Sequence, residues 1–188
     1  MGALETAHRR KLSLEEFHRM GEAGILGEDD RIELIDGEMI EMAPIGAQHL
    51  AMVNRLSRML NLAAGKDAIV STQNPVALPP QNEPQPDVAL LRPRADDYRA
   101  RLPTAADVLL IIEIADTTLV YDRDVKIPLY ARHGVAEVWL FDIQSGSLFV
   151  HREPAPKGYQ RILAPEKNET ISPMLLPAIQ IELAELWR

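Results

Sequence analysis

Two short apolar segments, each carrying one carboxylate, constrain the fold of this chain more than any other feature. They are residues 86–91 (PDVALL) and residues 108–115 (VLLIIEIA). Runs of this length that are rich in Val, Ile and Leu are typical of buried strands. Burying an ionised carboxylate is costly unless the charge is paired or binds a metal. We therefore expect two neighbouring strands that could bring Asp87 and Glu113 together around a cation.

The cation that suits such a pair is a hard divalent ion. The chain has no cysteine, so thiol nucleophiles, disulfides and cysteine zinc sites are excluded, and its possible ligands are carboxylates and five histidines. Carboxylate oxygens are preferred ligands of Mg²⁺, with Mn²⁺ as a related choice. Two separate structural salt bridges, one for Asp87 and one for Glu113, are the alternative.

Other acids, bases and helices surround these two segments. Ser13 and Glu16 form a capping box that predicts a short helix, and Asp36-Gly37 predicts a hairpin turn between two strands. Glu33 lies in the first of these strands, where it either joins the acids or faces solvent. Apolar residues at helical spacing predict a long helix over residues 46–64, which puts His49 beside its buried face as an accessory ligand or proton carrier, or as a hydrogen-bonded core histidine.

The connection between the two apolar segments is rich in arginine. Residues 92–101 hold four arginines and two aspartates. These arginines could contact phosphates, or they could be solvated and paired with the aspartates of the same loop. The four are Arg92, Arg94, Arg99 and Arg101.

The second segment is followed by a predicted helix that runs from Asp122 or Asp124 to His133, with a bend at Pro128. Lys126 lies in this helix, close enough in sequence to return to the edge where Glu113 lies. Taken alone, a lysine in such a position is a solvated charge. Further strands are predicted over residues 136–143, 147–152 and 159–163, and a short packing helix is predicted over residues 183–187.

The chain has 188 residues, 46% of them hydrophobic, which suits one globular domain with a sizeable core. We expect a flexible start over residues 1–12 and a single domain over residues 13–188. No apolar run is long enough for a membrane span, which predicts a cytoplasmic protein. The formal net charge of -8 disfavours a broad basic surface for nucleic acid.

The order Glu33, Asp87, Glu113, Lys126 resembles the PD-(D/E)XK nuclease superfamily. The closer match is to the Uma-two family of restriction-endonuclease-like proteins, over roughly residues 13 to 186. The blocks that carry the match are ELIDGE (33–38), PDV (86–88), IEI (112–114), DRDVK (122–126), YARHGV (130–135) and EVWL (137–140).

This resemblance implies an α/β (α+β) restriction-endonuclease-like fold, a mixed sheet flanked by helices with an N-terminal helix and β-hairpin. It also implies that Asp87 and Glu113 are metal ligands and that Glu33 is an added acid. The superfamily lysine two residues after the acid is absent, because Ala115 stands there. The resemblance suggests that Lys126 has taken over this role from the following helix.

The implied activity is a Mg²⁺-dependent endonuclease that hydrolyses phosphodiester bonds of DNA, with three acids, Glu33, Asp87 and Glu113, and one lysine, Lys126, as catalytic residues. Many nucleases of this fold act as dimers, so a homodimer is expected. A non-catalytic binding or assembly protein that retains the nuclease fold is the alternative, which the acidic balance and the missing motif lysine both allow. A metal-dependent hydrolase of another phosphoester is a third possibility.

Overall fold

A computed structural model describes residues 10–27 and 29–188 of the chain. The flexible start expected over residues 1–12 falls largely on residues 1–9, outside the described residues. The chain divides into two compact units, one formed by the residues up to Ala43 together with Ala77–Pro84, the other by Pro44–Val76 together with Gln85–Arg188. Each unit has its own secondary structure.

The first unit contains the predicted helix and hairpin. Helix α1 (Leu14–Glu22) begins at the capping box, because the Ser13 side chain accepts from the Glu16 N–H and the Glu16 carboxylate accepts from the Ser13 N–H. Strands β1 (Ile32–Ile35) and β2 (Glu38–Glu41) are antiparallel. The turn between them has a φ of 48° at Asp36 and 75° at Gly37, which is the requirement of a type I′ turn.

The second unit is built on a six-stranded mixed sheet in the order β3-β4-β5-β6-β7-β8. All neighbouring strands are antiparallel except β5 and β6, which are parallel. A parallel pair needs a crossover connection, and the helical segment after β5 supplies it. The strands are β3 (Ile69–Thr72), β4 (Val88–Leu91), β5 (Val108–Ala115), β6 (Glu137–Asp142), β7 (Ser147–Ala155) and β8 (Gly158–Leu163).

Helices pack on this sheet at both ends of its strand order, a long helix on β3, β4 and β5 and the crossover helix on β7 and β8. Helix α2 (Ala47–Ala64) contacts β3, β4 and β5, and its buried residues Val53, Leu56 and Leu60 recur at the predicted spacing. The buried stripe ends at Ala64, which is four residues beyond Leu60 and completes the same face. The mixed sheet flanked by helices, with an N-terminal helix and hairpin, is confirmed.

The crossover helix differs from its prediction at its start and in its winding. It begins at α3 (Leu119–Tyr121), continues as a π-helical turn over Asp122–Lys126, and ends as α4 (Ile127–Arg132). Asp122 and Asp124 are therefore inside the helix and neither one caps its N-terminus. A proline lacks the N–H for the usual bond and its ring crowds the carbonyl four residues earlier. The wider π turn, which ends directly before Ile127-Pro128, accommodates this conflict without interrupting the helix.

The C-terminal region closes the core of the second unit. Strands β9 (Thr170–Ile171) and β10 (Ile181–Glu182) are antiparallel, and helix α5 (Leu183–Leu186) follows directly. Leu183 and Leu186 belong to the same buried apolar cluster as α2 and the central strands. Across the described residues, no helix combines the length and the apolarity that crossing a membrane requires.

Candidate active site

Two carboxylates occupy adjacent positions on the paired strands β4 and β5. Val88 pairs with Ile112 in an antiparallel register, so the next position on each strand is Asp87 on one side and Glu113 on the other. Directly opposite residues of an antiparallel pair project to the same face of a sheet. Both carboxylates are nearly excluded from solvent, with side-chain exposures of 12% for Asp87 and 3% for Glu113.

The Asp87 carboxylate is held by donors on both of its oxygens. Its Oδ2 accepts from the backbone N–H of Ile114 at 2.9 Å, which ties it to β5. Its Oδ1 lies 3.0 Å from His49 Nε2 and 3.5 Å from Gln73 Nε2. The ring of His49 reaches this position because α2 begins directly after its N-cap Gly46, so that the first helical turn lies near the start of β4.

His49 is the accessory residue that sequence analysis placed beside the buried face of α2. The hydrogen bond to Asp87 raises the pKa of its imidazole, against the opposing effect of burial, and the charges of Asp87, Asp116 and Asp122 add to the rise. Its other ring nitrogen, Nδ1, is buried without a hydrogen-bond partner. His49 is therefore a partly buried titratable group in direct contact with one of the two carboxylates.

The Glu113 carboxylate has two donors on one oxygen. Lys126 Nζ lies 2.9 Å from Glu113 Oε1, and the Tyr130 hydroxyl donates to the same oxygen at 2.5 Å. Lys126 has a side-chain exposure of only 5%, so the alternative that it is a solvated helix charge is wrong. The amino group is buried, and Glu113 is an ion-pair partner of Lys126.

The helical segment explains how a lysine thirteen residues after Glu113 returns to it. The segment runs from the end of β5 back towards the start of β6, and β6 lies beside β5 in the sheet. Lys126 and Tyr130 are four residues apart, which puts them on one face of the helix. Lys126 is also the last residue of the π turn, a type of helical irregularity that is frequent at functional sites.

The arginine-rich loop is at the other end of the strands. It joins the C-terminus of β4 to the N-terminus of β5, whereas Asp87 precedes β4 and Glu113 is near the C-terminus of β5. Five residues of extended chain between Asp87 and Arg92 correspond to roughly 15 Å. The structure therefore does not bring Arg92, Arg94, Arg99 and Arg101 together with the two carboxylates.

Two of these arginines pair with nearby aspartates. Arg94 makes a bidentate contact with Asp96, at 2.7 and 2.9 Å, and Arg101 makes one with Asp107, at 2.6 and 2.9 Å. Both guanidinium groups lie over the ring of Tyr98. The Arg94 contact lowers the pKa of Asp96 to about 2. Contact between this loop and phosphate stays a prediction.

Glu33 belongs to the first unit. It lies in β1, pairs with Ile40 of β2, and is only 2% exposed, so the alternative that it faces solvent is wrong. A buried acid on a short hairpin is costly without compensating contacts. Its assignment as an added acid of the site stays a prediction.

The side chains of Asp87 and Glu113 suit a hard divalent cation in ligand type and in charge. Mg²⁺ is commonly bound by one or two carboxylates, with water and substrate phosphate completing its coordination. Two carboxylates on opposing strand positions match that requirement. Within residues 10–27 and 29–188, no group of three or more histidine, aspartate and glutamate side chains forms a metal-binding cluster.

Sequence analysis missed two residues that contact the carboxylates. Tyr130 stands four residues after Lys126, and this helical spacing could have predicted that both side chains lie on one face of the helix. Gln73 has a φ of 51°, and its backbone N–H donates to the Asp87 carbonyl at 3.1 Å. A left-handed conformation at a residue other than glycine is uncommon and is often found at functional sites. Nothing in the sequence around Gln73 indicated this conformation.

Comparison with solved structures identifies the class of fold. The chain is similar to a crystal structure titled as a "putative nuclease belonging to DUF820" from Anabaena variabilis ATCC 29413. The two share 20% sequence identity over 94% of this chain and 97% of the other, with a TM-score of 0.73. At that identity the likeness shows that the two proteins have the same fold.

The family follows from the sequence itself. Residues 14–184 match the model of the Uma2 (Uma-two) family, which is described as "Putative restriction endonuclease". This match covers nearly the whole chain, and the chain therefore belongs to the Uma2 family. A search of the curated proteins finds no significant match.

Proposed function

We propose that this protein is a metal-dependent endonuclease that hydrolyses phosphodiester bonds of DNA. The observation that carries the proposal is the placement of two buried carboxylates, Asp87 and Glu113, at opposing positions of paired strands, with the Lys126 ammonium 2.9 Å from Glu113. Membership of a family described as restriction endonucleases supports phosphodiester bonds as the target. The choice of DNA rests on that description.

In this proposal Asp87 and Glu113 hold Mg²⁺ or Mn²⁺. When bound, such an ion lowers the pKa of a coordinated water and neutralises charge on the phosphate oxygens. The backbone N–H of Ile114 fixes the orientation of the Asp87 carboxylate through Oδ2. Glu33 is proposed as an additional acid of the same reaction.

Lys126 supplies the positive charge that the reaction needs beside the carboxylates. Its ammonium is buried and cannot rotate into solvent, so it is available to orient the attacking water or to stabilise charge that develops on the phosphate. Because it contacts Glu113, it lies beside one of the two proposed metal ligands. Lys126 is proposed to take the role of the superfamily lysine, whose usual position two residues after Glu113 is occupied here by Ala115.

His49 is proposed as an accessory proton carrier. Its Nε2 contacts Asp87, and its pKa is raised above the ordinary value for histidine, so more of it is protonated near neutral pH than of a free histidine. A protonated imidazole can donate to a leaving group or to a phosphate oxygen. The four arginines of residues 92–101 are proposed to contact DNA phosphates away from the reacting bond.

A non-catalytic binding or assembly role is the second candidate. The observation that favours it is that both carboxylates are held by the protein's own donors, Asp87 by His49 and Ile114, and Glu113 by Lys126 and Tyr130. A metal ion entering the site must compete with these contacts. A cytoplasmic location and a homodimer, in which two sites meet two DNA strands, remain predictions.

The test is a plasmid-nicking assay with supercoiled DNA in millimolar Mg²⁺ or Mn²⁺. The parent protein is expected to nick the plasmid, and Asp87→Asn is expected to lower the rate at least about 100-fold, because the amide is a poorer ligand. Asp124→Asn is the matched control, since Asp124 is exposed and paired with Arg123. Loss of nicking in both variants, or in neither, would contradict the proposed role of Asp87. If the parent protein does not nick plasmid but hydrolyses a small phosphoester, the nuclease proposal is wrong and a metal-dependent hydrolase of another phosphoester is the function that remains.

A further inference from the structure

Tyr130 is a fully buried tyrosine whose hydroxyl is directed at the same carboxylate oxygen as Lys126. The side chain has 0% exposure, and the hydroxyl lies 2.5 Å from Glu113 Oε1. Lys126 Nζ is 2.9 Å from that oxygen. One carboxylate oxygen therefore accepts from a neutral donor and from a charged donor, which reach it from successive turns of one helix.

Burial limits what Tyr130 can do. A side chain that no solvent reaches cannot touch a DNA substrate, so any effect of Tyr130 on a reaction must act through Glu113. The last torsion of a glutamate side chain is broad, with no sharply preferred staggered position. Hydrogen bonds are therefore what fix the plane of the Glu113 carboxylate, and a donor on a rigid aromatic ring fixes it more firmly than a donor on a flexible chain.

We infer that Tyr130 is a positioning residue that orients the Glu113 carboxylate for binding a divalent metal ion. The inference rests on the proposed function, because it assigns Tyr130 a role towards the same metal ligand. Groups that hydrogen-bond to metal ligands set the orientation of those ligands, and replacing them commonly weakens metal affinity or activity by about 10- to 100-fold. Tyr130 differs in this from Lys126, whose charge acts on the substrate.

The positioning role of Tyr130 and the charge role of Lys126 predict opposite results for the Kd for Mn²⁺ and for the nicking rate at saturating Mn²⁺. Tyr130→Phe keeps the buried ring and leaves Lys126 on Glu113, so the fold is retained. It should raise the Kd for Mn²⁺ about tenfold, while nicking recovers to near the parent rate once Mn²⁺ is saturating. Lys126→Met should leave the Kd near the parent value or slightly lower, while nicking stays low at every Mn²⁺ concentration.

The matched control is Tyr159→Phe. The Tyr159 hydroxyl donates to the Val135 carbonyl at 2.7 Å, away from the carboxylates, so this variant also deletes one largely buried tyrosine hydrogen bond. It should lower the melting temperature without changing the Kd for Mn²⁺. The Kd is measured by calorimetry or by the electron paramagnetic resonance signal of free Mn²⁺, and both methods work without DNA.

Each outcome decides the inference. A tenfold rise of the Kd in Tyr130→Phe but not in Tyr159→Phe supports it. An unchanged Kd in Tyr130→Phe, or an equal rise in both variants, overturns the positioning role while leaving the nuclease proposal standing. A parent protein that neither binds Mn²⁺ nor nicks plasmid overturns the proposed function, and the positioning role with it.

Discussion

Replacing Lys126 by methionine separates the structural cost of the buried ion pair from its proposed chemical role. Methionine keeps most of the aliphatic stem and removes the ammonium. Glu113 then keeps the Tyr130 hydroxyl as a donor but loses its cationic partner 2.9 Å away. A buried carboxylate without that partner is less stable in the folded protein than in the unfolded chain.

The size of the effect follows from the geometry. At 2.9 Å and an effective dielectric constant of about 20, the attraction between two unit charges is about 6 kcal/mol. Desolvation of both ions offsets a large part of this, and breaking one side of a buried pair typically costs about 3–5 kcal/mol. The remaining hydroxyl donor at Glu113 places Lys126→Met near the lower end, at about 3 kcal/mol of unfolding free energy.

A bound metal ion should restore part of that loss, because it supplies the positive charge that Glu113 has lost. We therefore expect millimolar Mn²⁺ to raise the melting temperature of Lys126→Met by at least as much as that of the parent. The assay is thermal unfolding with and without Mn²⁺, with Arg161→Met as a control for loss of an exposed charge. A smaller Mn²⁺ shift in the variant than in the parent, or a plasmid-nicking rate that Lys126→Met leaves unchanged, would contradict the proposed role of Lys126.

Two further predictions concern strand β7. Burial lowers the pKa of His151 from its ordinary value of 6.5 to about 4. Below pH 6.5 the unfolded chain therefore takes up a proton that the folded protein does not. The free energy of unfolding falls by about 2–3 kcal/mol from pH 6.5 towards pH 4. His151→Gln should remove that part of the pH dependence in urea unfolding, and an unchanged slope would count against the buried neutral imidazole. Arg152→Leu should cost about 3 kcal/mol in the same assay, because it leaves Glu137 buried without its cation, whereas Arg161→Leu should cost no more than about 0.5 kcal/mol. Equal costs for the two arginines would contradict this.

The two strands that carry the carboxylates could be predicted because their apolar runs are short, rich in Val, Ile and Leu, and interrupted by single acids. Residues 108–115 were predicted as one strand, and β5 has those bounds. The hairpin was equally predictable, because Asp36-Gly37 favours the positive φ values that its turn requires. Both signals depend only on residues that are neighbours in the sequence, so they could be recognised without knowledge of tertiary contacts.

The same signal was not specific for function, as Glu137 illustrates. Glu137 is an acid in the buried strand β6, yet it has a structural partner, because Arg152 lies directly opposite on β7 and donates to its Oε1 at 2.8 Å. Trp139 Nε1 and the Met174 N–H also donate to the Glu137 carboxylate. An acid in a strand therefore becomes a candidate site only after its register partners are known, and the register depends on the whole sheet.

The contacts around Lys126 could be predicted only in part. The match to the family blocks indicated a lysine that returns to Glu113. The helix, however, was predicted to start at Asp122 or Asp124, and the π turn that carries Lys126 was not predicted. A π turn arises from competition between Pro128 and the helix hydrogen bonds, and this competition is resolved by packing. The position of His49 against Asp87 likewise required the packing of α2 on the sheet.

A Mn²⁺ titration of the parent protein beside Glu113→Gln tests whether Asp87 and Glu113 together hold a divalent ion. Glutamine keeps the shape of the side chain and removes the charge that attracts a hard cation. We expect saturable Mn²⁺ binding by the parent and at least about tenfold weaker binding by Glu113→Gln, without loss of the fold. A parent protein that shows no binding up to millimolar Mn²⁺, or a variant that binds as tightly as the parent, would contradict it.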